Sequence, residues 1–94
     1  MKSITLSNGF KCKVNENVAN DMELLDLLKE TKEDGTAYSD IVLKIFGKEQ
    51  RDKLYESIRT KDGIVPLVKS EDADYSITDA VTEILTALGT SGKN

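Results

Sequence analysis

No histidine occurs anywhere in the chain. That removes the side chain that most often serves as general base, metal ligand and proton switch near neutral pH. A single cysteine, Cys12, excludes an internal disulfide and any zinc framework built on several thiolates. There is no tryptophan and only one proline. No Walker loop, dinucleotide glycine fingerprint or EF-hand loop is present, and the Asp72/Asp74 pair reads as part of a solvated loop. No apolar run approaches the roughly 20 residues that a membrane span needs. The N-terminus has a strand pattern in place of a signal peptide, so the expected location is the cytoplasm. No basic stripe interleaved with aromatics exists to follow a phosphate backbone. Together these absences point away from an enzyme, a cofactor, a metal site, nucleic acid and the membrane.

What is present is 94 residues with a net charge of −4. A domain of this size buries roughly 60–70% of the surface its unfolded chain exposes, so its core is small and weak self-association would add buried apolar area. The charge is segmental. Residues 1–14 carry three lysines and no acid; residues 15–40 carry eight acids against two bases. Residues 41–63 reverse the balance with four acids and six bases, and residues 64–94 restore it with five acids and two bases.

The opening stretch, "ITLSNGFKCKV", poses a question of parity. A two-residue Asn-Gly loop would put Ile4 and Leu6 on one face and Phe10, Cys12 and Val14 on the other. A three-residue loop, Ser7-Asn8-Gly9, places all five on a single face. Gly9 then takes the left-handed position of a G1 bulge, where the missing Cβ removes the steric penalty. Cys12, alternating with Phe10 and Val14, reads as packed core in place of a nucleophile.

Four helical patterns follow. The first, "NDMELLDLLKETKE", is expected to be capped by Asn20 with Glu23 completing a capping box. Its apolar residues, Met22, Leu24, Leu25, Leu27 and Leu28, cover roughly 220° at 100° per residue, wider than one packing surface needs. Either the helix is wedged between two internal neighbours, or one edge, Leu24 and Leu27, is left for another protein. The second pattern, "AYSDIVLKIFG", has Thr36 as its cap, Tyr38, Ile41, Val42, Ile45 and Phe46 on one face, and Gly47 as its stop. Leu43 falls off that face. "KEQRDKLYESIRT" makes a third, with a thin seam of Leu54, Tyr55 and Ile58 and a Glu49–Lys53 pair at i, i+4. An extended "IVPL" and the charged loop "VKSEDAD", with room for one helical turn, lead to a last helix. Ser76 caps it, Asp79 lies in its first turn, and Ile77, Ala80, Val81, Ile84, Leu85 and Leu88 follow the helical period. The expected fold is α+β and mainly helical: an N-terminal β-hairpin packed on about four α-helices. Residues 1–88 form one domain and residues 89–94 a disordered tail.

The order of these pieces, above all "DIVLKIFGKEQRDKLYESIRTKDGIVP" after "ITLSNGFKCKV" and an acidic Leu-rich helix, resembles the short tail assembly chaperones of long-tailed phages and prophages of Gram-positive bacteria. In that family a helix ends on Gly, a Glu-Gln-rich helix follows, and an Asp-Gly turn precedes the step into the last helix. The resemblance implies a non-enzymatic protein that coats the tape-measure protein before tail-tube protein polymerises around it in the host cell cytoplasm. It also implies a second, frameshifted form whose extension would begin near Gly92-Lys93-Asn94. Leu24, Leu27, Leu28 and Leu43 are the candidate partner-binding residues. The alternative is a small phage or prophage regulator or inhibitor that binds a host protein.

Overall fold

Gly9 has φ +93°, and it decides the register of everything before residue 15. The structure, a computed structural model, describes residues 1–89. The turn closes through Gly9 N donating to Leu6 O (2.9 Å) and Leu6 N donating to Phe10 O (2.8 Å). The Asn8 side chain accepts from Phe10 N at 3.0 Å. Strand β1 (Lys2–Thr5) therefore pairs antiparallel with β2 (Lys11–Val14), with Ile4 opposite Cys12. Leu6, Cys12 and Val14 are buried, Ile4 and Phe10 pack half-buried against the same core, and Lys11 and Lys13 are exposed. The three-residue loop is the one that forms.

The expectation of about four helices is overturned: among the described residues there are three α-helices, α1 (Met22–Glu30), α2 (Ala37–Ile58) and α3 (Ile77–Ala87). The second and third sequence patterns are one element, bent at Gly47 (φ 77°, ψ 166°). This backbone region is open essentially to glycine alone. Helical geometry resumes at Lys48 without a connecting loop because the break is repaired on the spot. The Gln50 amide donates to the Phe46 carbonyl (2.9 Å), replacing a backbone bond that the bend removes. On this stretch the i, i+4 ion pair is Lys48–Asp52 at 3.3 Å, one register before the expected Glu49–Lys53.

Several helix ends also differ from expectation. A short 3-10 helix (Glu16–Asn20), started by the Asn15 side chain and burying Val18, consumes Asn20. The cap of α1 is Asp21, in extended conformation, whose carboxylate accepts from Glu23 N at 2.8 Å. The helix stops at Glu30 instead of Glu33. Thr36 makes no capping bond with its own side chain; it donates its amide (3.0 Å) and hydroxyl (2.6 Å) to Asp34, whose pKa this lowers. Ser76 and Asp79 form the capping box of α3. The next two amides, Ile77 N and Thr78 N, donate to Pro66 O and Leu67 O at 3.0 and 3.1 Å. Those bonds leave no orphan donors in the first turn. The loop before it has no helical turn; it folds on an isolated Ser70–Ala73 bridge with Ala73 buried.

The core lies where the hairpin, α1, α2 and α3 meet, around Leu6, Val14, Leu24, Ile41, Val42, Leu54, Val81 and Ile84. Tyr38 and Tyr55 pack half-buried at its edge. Side chains from two helices clamp the hairpin onto it. Gln50 of α2 accepts from Lys13 N and donates to Lys13 O, both at 2.8 Å. Glu83 of α3 accepts from Ser7 N (2.8 Å) and from the Ser7 hydroxyl. Of the expected disordered tail, residues 89–94, all but Gly89 lie outside the described residues.

Candidate functional site

A wide apolar arc cannot be entirely buried by one neighbour, and on α1 it is not. Leu24 is at the centre of the buried face, 1% exposed, so the expectation that it borders a free surface is corrected. Leu28 is half-buried against the core. Met22 and Leu25, at 66% and 51% exposure, are the residues turned outward. The arc fixes how much apolar surface α1 has; the packing of α2 against it decides which part is covered.

Leu27 and Leu43 do come together. They line an open groove of about 420 Å³ between α1 and the first half of α2, with Glu23, Asp26, Asp40 and Lys44 around it. The two helices run antiparallel as an αα-hairpin, since Lys44 near the middle of α2 reaches the start of α1. Its ammonium group contacts Asp21 at 3.1 Å and Glu23 at 3.0 Å. The Glu23 contact, then the Asp21 contact, raise the Lys44 pKa; the bond to Lys44 is the main cause lowering that of Asp21. Asp26 and Asp40 carry no ion pair among the described residues. The groove is thus apolar at its floor, with two free carboxylates at its rim and its one cation already engaged. Its apolar floor and charged rim suit it to holding an apolar surface of a partner.

Of the four leucines named from the sequence, Leu27 and Leu43 meet at this site, Leu24 is buried core, and Leu28, like Leu27, packs half-buried against that core. Asp26, Asp40 and Lys44 were not singled out. The advance signals were the acid excess of residues 15–40 and the polar stripe of positions 23, 26, 30 and 33 on the first helical pattern.

Ile64, Leu67 and Val68 are exposed on the α2–α3 connection, where Leu67 joins Tyr38, Tyr55, Val65 and Ile77 around a smaller hollow of about 340 Å³. Ser7, Asn8, Lys69, Asp74, Tyr75, Asp79 and Glu83 surround a polar recess. There the Tyr75 hydroxyl is enclosed beside Glu83 and Ser7 without a well-directed hydrogen bond. Burial, and then the charge of Glu83, push its ionisation well above the ordinary 10.0. Cys12 is 5% exposed, and burial raises its pKa too, so the thiol is placed as packing rather than as a reactive group. Among the described residues no helix is long and apolar enough to cross a membrane. Comparison with protein-family models, curated protein sequences and solved structures finds no match for this chain.

Proposed function

We propose that this protein is a non-enzymatic binding module that holds an apolar helix of a client, and that it acts as a phage tail assembly chaperone on the tape-measure protein. The observation that carries the reading is the groove in which Leu27 and Leu43 form an apolar floor between two antiparallel helices. A helix laid into such a groove buries its apolar stripe against theirs. The order of hairpin, acidic Leu-rich helix, Gly-interrupted helix and Asp-Gly turn supports the specific assignment by resemblance.

The test is co-expression with the long helical protein encoded beside the gene. The chaperone reading expects that client to stay soluble and to co-purify with this chain. It expects Leu43→Glu, on a side chain already 42% exposed, to release the client while leaving the thermal midpoint unchanged. A gene neighbourhood without such a protein, or a client equally soluble with and without this chain, overturns the assignment.

A further inference from the structure

The chemistry of the groove says more about its occupant than that it is apolar. Resting on the reading of this groove as the client site, we infer that the occupant is a cationic amphipathic helix, one whose apolar stripe is flanked by lysine or arginine.

Charge is the first argument. The groove residues include three carboxylates, from Glu23, Asp26 and Asp40, and one cation, Lys44. Lys44 is held by Glu23 and by Asp21, which stands just outside. Asp26 and Asp40 stay unneutralised. An arriving helix covers Leu27 and Leu43 and lowers the dielectric around those carboxylates. Unpaired, they would then oppose binding; facing lysine or arginine, they would favour it and fix its register. An acidic helix, a nucleic acid or an anionic lipid surface meets like charge there instead.

Length is the second. α1 has nine residues, so the wall it contributes is roughly 13 Å long, about two and a half turns. That accommodates a short stripe of anchors at i, i+4 and i+7, not a long coiled-coil seam.

The third argument removes a helix of a second copy of this chain. Its exposed large apolar side chains are Met1, Met22, Leu25, Leu43, Ile64, Leu67 and Val68. Those on helices lie in or next to the same acidic segment, so docking them into the groove would set carboxylates against carboxylates. The second half of α2, residues 48–58, where acids and bases balance, contributes none of them.

Three labelled peptides of about four turns, titrated against the full-length chain by fluorescence anisotropy, test this. The first carries leucines at i, i+3, i+4 and i+7 flanked by lysine and arginine. The second has the same leucines flanked by glutamate, and the third keeps the bases with serine replacing each leucine. The inference expects the first to bind at least about tenfold more tightly than either other, a difference of about 1.4 kcal/mol. It expects that preference to shrink as salt rises from about 0.05 to about 0.5 M. Asp26→Lys with Asp40→Lys, both exposed positions, should invert the preference between the first two peptides, and Leu43→Ser should weaken both. Equal binding of the first two peptides overturns the charge assignment. Equal binding of the first and third reduces the groove to non-specific attraction. Absence of any binding, or a dimer that Leu43→Ser dissolves, gives the groove to no helix or to a second copy and also overturns the inference. If the preference holds while the tape-measure protein fails to co-purify, the chaperone assignment falls and the groove chemistry stands. The opposite pair of results does the reverse.

Discussion

Gln50 holds Lys13 by both of its backbone groups, accepting from its N–H and donating to its C=O at 2.8 Å each, across 37 residues of sequence. The amide behaves as a one-residue third strand on the free edge of β2. Its second N–H repairs the bend at Gly47 by reaching Phe46 O. One side chain therefore joins the hairpin edge to the break in α2. Gln50→Ala removes three hydrogen bonds around a half-exposed site and should cost about 1–2 kcal/mol in urea denaturation. It should also speed hydrogen exchange of the Lys13 amide. Unchanged exchange would show that solvent replaces Gln50 without loss.

Gly9→Ala isolates backbone strain from crowding. A Cβ built at Gly9 meets nothing within 4 Å, yet φ is +93°. The expected loss is about 1 kcal/mol, from conformation alone. An unmoved denaturation midpoint would contradict the bulged turn.

Leu24 and Leu43 separate core from groove. Leu24→Ala opens a cavity at a fully buried position and should cost about 2–5 kcal/mol. Leu43→Ala, on an exposed side chain, should stay within about 0.5 kcal/mol. For the same reason Leu24→Glu paired with Leu27→Glu is expected to unfold the protein, with most of the loss from Leu24, since Leu27 packs only half-buried against the core. Similar losses for the two alanine variants would place Leu43 in the core and close the groove.

The Lys44 triad predicts a pH profile. The Asp21 pKa is depressed below 3.8, so its contribution is present above that value and is lost as pH falls through the folded-state value. The Lys44 pKa is raised above 10.5, so its contribution is present below that value and is lost as pH rises through the folded-state one. The destabilisation by Lys44→Met should accordingly be greatest between these limits and fade at both ends. High salt should shrink it throughout, because the groups are solvent-accessible. A penalty independent of pH would mean that Lys44 acts through its methylene packing.

Tyr75 gives the opposite kind of test. Its hydroxyl is enclosed without a well-directed partner, so Tyr75→Phe should be neutral or stabilise by up to about 1 kcal/mol. The raised pKa means that stability holds below the ordinary 10.0 and is lost as pH climbs beyond it. The phenylalanine variant should lose that alkaline sensitivity. A loss of stability near neutral pH would show that the hydroxyl donates to Glu83 in solution.

Local pattern alone determined the parts of this protein whose physics is local. The parity of Ile4, Leu6, Phe10, Cys12 and Val14 selected a three-residue loop, because only that register puts one apolar face on a half-buried hairpin. Ser76 and Asp79 announced the start of α3, and the period of Ile41, Val42, Ile45 and Phe46 announced the face of α2. Periodicity also measured the excess apolar arc of α1. Tertiary structure decided what that arc is for. Which of five apolar residues meets the core depends on where α2 presses, and a helical wheel carries no information about neighbours. So Leu24 went inside, Met22 and Leu25 outside, and Leu27 to a groove that exists only once Leu43 stands across from it. The helix count was settled the same way. Gly47 marked a break legibly, but whether the chain parts there or merely bends depended on Gln50, whose anchors lie on β2 and across the bend itself.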